Sequence, residues 1–193
     1  MAANTIQENS LRNDFDGNGP IWIFGYGSLI FKADFAFIER KPASIQGWER
    51  RFWQGSHDHR GTELSPGRVV TLIEAADSVC QGMGYLVDPV TLDHLDYREK
   101  NGYLRFESHL VFDDGNTEAG LVYIATKDNE AFLGSAPEWK IAAQIARSSG
   151  PSGRNIDYLF ALANSLRALS AEDSHVFQIE SYLKQISSEF GLD

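Results

Sequence analysis

Ten residues near the start of the chain join a short apolar run to two closely spaced glycines and a serine: Ile21-Trp22-Ile23-Phe24-Gly25-Tyr26-Gly27-Ser28-Leu29-Ile30. The β-branched and aromatic residues at 21–24 predict a buried strand. Gly25 and Gly27 allow a sharp turn and a close approach by a ligand. Amide N–H groups presented at such a turn can grip a carboxylate or a polarised carbonyl oxygen. The stretch therefore predicts the floor of a small-molecule site, with a plain β-turn as the competing reading. It is not a dinucleotide fingerprint, because Ile30 stands where the third glycine of G-x-G-x-x-G would fall, and no Walker loop occurs.

Other residue types that could carry chemistry are few. Glu99, in Arg98-Glu99-Lys100-Asn101-Gly102-Tyr103, is a carboxylate at a helix end just before a glycine turn. It reads either as a base awaiting activation by burial or as part of a solvated charge run with a local ion pair. His57 and His59 lie one residue apart, but no third and fourth ligand follow at a familiar spacing, so no metal site is expected. Arg50-Arg51-Phe52-Trp53-Gln54-Gly55-Ser56 interleaves basic and aromatic residues, a pattern met in nucleic-acid binding and equally in a strand with one aromatic face. Cys80, between Val79 and Gln81, has no histidine partner within reach by sequence and is not expected to act as a nucleophile.

The elements that must position these residues follow from patterning. A length of 193 residues suggests one domain, with 42% hydrophobic residues to fill a core. Residues 1–19 are polar and rich in Asn, Asp and Gly, and are expected to form a disordered leader; residues 20–193 are expected to form a single domain. Strands are predicted at 68–73, 82–87, 104–112 and 121–126, with a hairpin turn at 113–116. In strand 104–112, Leu104, Phe106, Ser108, Leu110 and Phe112 share one face, opposite Arg105, Glu107 and His109. Asp88 suits an N-cap and Pro89 the first helical position; Asn101-Gly102 should end that helix. Three helical stripes fill the last third: Trp139, Ala142, Ala143 and Ala146; Leu159, Leu162, Ala163, Leu166 and Leu169; and Val176, Ile179, Leu183, Ile186 and Phe190. Strands first and helices later give the α+β class, with a glycine-cornered, barrel-like sheet and helices packed outside.

Seventeen Lys and Arg against 27 Asp and Glu give a formal net charge of −10, which argues against a nucleic-acid partner. No run of about 18 apolar residues exists, so no membrane association is expected. No signal peptide is visible, and a single cysteine fits a reducing compartment, here expected to be the cytoplasm.

With its segments in order, the chain resembles the ChaC family of glutathione-specific γ-glutamylcyclotransferases. The resemblance runs from about residue 21 to 169, through Phe24-Gly25-Tyr26-Gly27-Ser28-Leu29-Ile30, the Arg50–Ser56 run with Asp58-His59-Arg60-Gly61, Pro66-Gly67-Arg68-Val69-Val70-Thr71-Leu72, Arg98-Glu99-Lys100-Asn101-Gly102-Tyr103, and Gly150-Pro151-Ser152-Gly153-Arg154-Asn155. The leader and the helix after Ser174 lie outside it. Ala125 and Ser135 depart from its pattern, which has Gly and Pro there, at positions expected to stand clear of the site.

The resemblance implies a small β-barrel of the γ-glutamylcyclotransferase-like type with flanking helices. It implies the conversion of glutathione to 5-oxoproline and cysteinylglycine, with Glu99 as general base. The substrate-binding loop is carried over to Ile23, Phe24, Gly25, Tyr26, Gly27, Ser28 and Leu29, with Tyr103 shaping the pocket. One of Arg60, Arg68 and Arg154 is expected to hold the glycyl carboxylate. The reaction calls for no metal and no cofactor. The alternatives are a cyclotransferase for γ-glutamylamines or general γ-glutamyl amino acids, and a non-catalytic γ-glutamyl-binding module.

Overall fold

A computed structural model describes residues 4–12 and 19–190. They divide into two compact units, the described residues among 1–49 with 72–130 and those among 50–71 with 131–193.

The sheet of the first unit grows from the run at 21–24. β1 (Ile21–Gly25) is buried along its whole length, as an apolar run without alternation requires. It pairs antiparallel with β3 (Gly67–Val87) in the register Ile21↔Val87 to Gly25↔Met83. On its other edge it pairs parallel with β5 (Thr117–Ala125), Trp22↔Gly120 through Phe24↔Val122. β2 (Glu39–Ser56) and β4 (Tyr103–Phe112) complete a closed barrel in the order β1-β3-β2-β4-β5. Closure leaves no free edge. Ile23, Phe24, Tyr85 and Leu110 are fully buried in this unit.

β3 is one strand of 21 residues where the sequence suggests two, at 68–73 and 82–87. β4 and β5 form a long antiparallel pair from Tyr103↔Ala125 to Val111↔Thr117. Their turn is the hairpin expected at 113–116, with Gly115 N–H bonded to Phe112 C=O. Arg105, expected on the polar face of this strand, is buried; its Nε lies 3.4 Å from Asp96 and its backbone N–H donates to Asn9 Oδ1 at 2.9 Å.

Residues 6–11, expected to be disordered, form helix α1 (Ile6–Leu11) with Asn9 fully buried; residues 1–3 and 13–18 lie outside the described residues. Helix α2 (Thr91–Arg98) starts later than Asp88-Pro89 suggests. Asp88 instead accepts from Val90 N–H at 3.1 Å and shapes the turn before the helix.

The second unit is a three-helix packing with a small hairpin. α3 (Glu138–Arg147) buries Ile141, Ala142 and Ile145, while Trp139, read as part of its apolar stripe, is 52% exposed. α4 (Asn155–Ala168) buries Leu159, Leu162, Ala163 and Leu166 as expected, while Leu169 of the same stripe lies past the helix end and is half-buried; α5 (Ser174–Phe190) buries Val176, Ile179 and Leu183, with Ile186 half-buried. The side chain of Phe190 lies outside the described residues. β6 (Ser149–Gly150) and β7 (Gly153–Arg154) pair across the Gly-Pro-Ser-Gly segment. Among the described residues no helix is long and apolar enough to cross a membrane.

Candidate active site

Of the residues expected to form the site, the glycine turn, Glu99 and Tyr103 all belong to the first unit. β1 delivers the chain to Gly25, and a 3-10 turn at Ser28–Ile30 follows at once. The room at Gly25 is used by the chain itself. A Cβ there would lie 2.8 Å from Leu29 Cβ and 3.4 Å from the Tyr85 ring, so the glycine allows the turn to fold back on its own strand.

Two phenols fix this turn. Tyr26 donates its hydroxyl to Tyr123 C=O at 2.7 Å, and Tyr85 donates to Leu29 C=O at 2.6 Å. Burial pushes the Tyr85 phenol above its ordinary pKa, against the pull of Arg40 and Arg98. Tyr85 is therefore held as a neutral donor. The backbone N–H groups of Gly27, Ser28 and Leu29 donate to no acceptor among the described residues, as the opening of a helical turn leaves them.

Glu99 caps the C-terminus of α2, its N–H donating to Leu95 C=O at 2.8 Å. Its side chain is 16% exposed. The chain then turns through Gly102, at φ +95, the left-handed conformation that stops a helix, and enters β4 at Tyr103.

Arg98 links the two parts. Its Nε lies 3.2 Å from Glu99 Oε1, its Nη2 donates to Ser28 Oγ at 2.9 Å, and its Nη1 donates to Lys32 C=O at 3.2 Å and to the Asp34 carboxylate. One guanidinium thus spans from the glycine turn to the carboxylate of Glu99, fitting the planar fork of arginine. The expected local ion pair between Arg98 and Glu99 exists, but it is one arm of this larger link. Patterning carries no sign of it, because Asp34 and Ser28 lie 64 and 70 positions from Arg98.

Behind the turn, Tyr123 donates to Asp96 Oδ1 at 2.7 Å, and Asp96 lies beside Arg105. Burial is the chief cause that raises the Asp96 pKa above the usual carboxylate range, opposed by Tyr123 and Arg105. The Tyr123 phenol is pushed far upward, first by burial and then by its bond to Asp96, with Glu99 adding a smaller electrostatic push. Ala125 pairs directly with Tyr103 across β4 and β5, so this departure from the family pattern borders one of the residues expected to shape the pocket.

The three candidate arginines belong to the second unit. Arg68 is buried and engaged: its Nε donates to Gln144 at 2.7 Å, and its Nη1 to Phe52 C=O at 2.9 Å and Gly134 C=O at 3.1 Å. Its backbone is clamped by Asn155, which accepts from Arg68 N–H and donates to Arg68 C=O. Arg60 donates to Arg154 C=O at 3.1 Å and lies over the Tyr158 ring. Arg154 is exposed and pairs with Asp157 at 2.8 Å. Cys80 is buried, and no cluster of potential metal ligands occurs among the described residues.

The closed barrel with flanking helices is the γ-glutamylcyclotransferase-like fold. It superposes on the crystal structure of a γ-glutamylcyclotransferase specific to glutathione from yeast with a TM-score of 0.80 at 32% identity, covering 87% of this chain and 97% of that one. The family model described as ChaC-like protein matches residues 21–186, and the chain belongs to that family. The match extends past Ser174 through most of α5, further than the sequence segments indicate. Gamma-glutamylcyclotransferase 2-3 of Arabidopsis thaliana is 44% identical over 182 residues, 88% of this chain and 91% of that protein. Glutathione-specific gamma-glutamylcyclotransferase 1 of Danio rerio is 43% identical over 178 residues, 86% and 90% of the two chains.

Proposed function

We propose that this chain is a glutathione-specific γ-glutamylcyclotransferase that releases 5-oxoproline and cysteinylglycine, acting as a lyase with Glu99 as its base. The observation that carries the proposal is the Arg98 link, which holds the Glu99 carboxylate and Ser28 of the glycine turn on one guanidinium. The relatives named glutathione-specific support the choice of substrate.

The chemistry needs two things from the protein. The substrate's α-ammonium must lose a proton before its nitrogen can attack the γ-carbonyl carbon, and Glu99 takes that proton. As the new C–N bond closes the five-membered ring, negative charge moves to the carbonyl oxygen. The N–H groups of Gly27, Ser28 and Leu29 are the donors assigned to it, each good donor being worth about 3–4 kcal/mol. The bond from that carbon to the cysteinyl nitrogen then breaks; Glu99 returns the first proton to the departing nitrogen, and the ring nitrogen's second proton passes by the same carboxylate to that amine, which leaves as its ammonium. Nucleophile and electrophile belong to one molecule, so holding the folded conformer supplies much of the rate; effective molarities for such pairs reach about 10⁵ M or more. The base and the oxyanion donors come from this chain alone. A reducing compartment, the cytoplasm, is the setting proposed, on the strength of the single cysteine.

The test is incubation with reduced glutathione and detection of cysteinylglycine and 5-oxoproline by mass spectrometry, with γ-glutamylalanine as the competing substrate. Glutathione should be cleaved with a kcat/KM far above that of the dipeptide. Equal values would move the enzyme to general γ-glutamyl amino acids, and absence of both products would leave a binding module.

A further inference from the structure

The segment upstream of the family match is built onto the turn that carries Glu99. Thr5 donates its backbone N–H to Lys100 C=O at 2.9 Å. Its hydroxyl donates to Lys100 C=O at 3.0 Å and reaches Glu99 C=O at 3.5 Å. Asn4 bridges to Asn101. Asn9, fully buried, donates from Nδ2 to Tyr103 C=O at 3.1 Å and accepts Arg105 N–H at Oδ1, while its own C=O accepts from Arg105 Nη2 at 2.5 Å. Arg12 donates to Arg105 C=O at 3.4 Å and lies over the Phe106 ring. Among the described residues, the hydrogen bonds that residues 4–12 make to the rest of the chain end on residues 99–105.

That turn is also tied to its neighbours, with Glu99 N–H donating to Leu95 C=O and Tyr103 paired with Ala125 across β4 and β5. Within it, Tyr103 N–H reaches Glu99 C=O at 3.3 Å, and Gly102 takes the left-handed conformation that lets the chain reverse there. The direction of the Glu99 side chain follows from the backbone of the residue between helix and turn, so whatever fixes the turn also aims the carboxylate. A long disordered tail has no need of a buried asparagine whose amide satisfies both a strand N–H and a strand C=O.

We infer that Asn9, with Thr5, is a positioning residue for Glu99: α1 clamps the Glu99–Arg105 turn and thereby aims the base. The inference rests on the reading of Glu99 as the base. It assigns a catalytic consequence to a segment that lies before the family domain.

The experiment uses the full chain and reduced glutathione as substrate. Asn9→Ala, Asn9→Asp, Thr5→Val, Glu99→Gln and the Asn9→Ala/Glu99→Gln double variant are assayed well below each one's melting temperature. Asn9→Ala should lower kcat about tenfold with KM within about twofold of wild type, the effect of a base misplaced by a fraction of an ångström. Asn9→Asp keeps the acceptor for Arg105 N–H but loses the donor to Tyr103 C=O, and should fall between; Thr5→Val should lower kcat by a smaller factor. If Asn9 acts through Glu99, the double variant is no slower than Glu99→Gln alone. Lowered melting temperature with unchanged kcat per folded molecule would make α1 merely structural and overturn the inference, as would a further tenfold loss in the Glu99→Gln background. Should Asn9→Ala not fold, Thr5→Val and Asn9→Asp carry the same comparison. Failure of the base assignment is visible separately, as near-normal turnover by Glu99→Gln with Asn9 intact.

Discussion

The proposed mechanism asks Glu99 to accept a proton from the substrate amine. Glu99→Gln keeps the size of the side chain and its bond from Arg98 Nε, since the amide oxygen still accepts, but removes the basicity. Under the proposed mechanism kcat should fall by about 10²–10⁴, the usual worth of a positioned base. Steady-state kinetics on reduced glutathione measure this, and a folded variant with near-normal kcat would send the search to another carboxylate. The base role proposed for Glu99 is implied by the family resemblance of its segment; its residue type and position at a helix end read equally as one partner of a local ion pair with Arg98. The wider link through Arg98 was not legible, since its partners Ser28, Lys32 and Asp34 come from the other side of the barrel sequence and only folding brings them together. Arg68 illustrates the opposite limit. Its residue type marks it as a carboxylate binder, yet its guanidinium is occupied by Gln144 and two backbone carbonyls, partners that residue type cannot reveal.

Elements were legible where hydrophobic period is strong and illegible where it fades. β1 and the buried stripes of α4 and α5 stand out because consecutive or i, i+3, i+4 apolar residues have one way to be buried. The middle of β3, from Glu74 to Ser78, is small or polar and none of it is buried, so it carries no burial signal although its backbone stays in the sheet. In α3 the small residues drew the stripe toward Trp139, whereas Ile141 and Ile145 set the buried face. The start of α5 also carries a test of how elements of the second unit are joined. His175 is buried, and its Nε2 accepts Phe52 N–H from β2 at 3.1 Å, while Nδ1 lies 3.2 Å from Glu138 Oε1 on α3. An acceptor at Nε2 must be unprotonated, so the ring is neutral with its proton on Nδ1. Burial is the main cause that lowers its pKa; Arg51 adds to it, and Glu138 and Asp173 oppose it. Arg50, nearby on β2, is paired with Asp173. The unfolded chain binds this proton more tightly than the folded one. The stability it contributes is therefore complete above the unfolded pKa of about 6.5 and is lost as pH falls through the lower folded value. Each tenfold difference in proton affinity is worth about 1.4 kcal/mol. Melting curves of wild type and His175→Gln between pH 7.5 and 5.5 should diverge, the wild type losing more on acidification because glutamine does not titrate. Parallel curves would mean that protonation of His175 is not coupled to folding.

At the scale of the whole chain, length suggests one domain, and the chain forms two compact units that each draw on two separate stretches of sequence. That interleaving depends on which strands pair, and pairing partners leave no mark in composition. The α+β class and the barrel were accessible because glycines interrupt strands early in the chain and helices gather at its end. The family segments sharpened this to one fold, which the yeast glutathione-specific enzyme shares. A protein built to bind glutathione in its native state, and not in its unfolded state, must be stabilised by it as a whole. Wild type cannot report this cleanly, because turnover removes the ligand. Glu99→Gln can, since it should bind without consuming. At a glutathione concentration about 100 times its Kd, the native state gains about 2.7 kcal/mol. For a chain of this size about 1 kcal/mol moves the melting temperature by roughly 2–4 °C, so a rise of roughly 5–10 °C is expected. The measurement is a thermal melt of Glu99→Gln with increasing reduced glutathione, with γ-glutamylalanine and cysteinylglycine as parallel ligands. Glutathione should give the largest shift at equal concentration, because it alone presents both the γ-glutamyl head and the glycyl carboxylate. A variant that melts at the same temperature with and without millimolar glutathione, while wild type turns glutathione over, would show that Glu99 contributes to binding the substrate ammonium and is not a base alone.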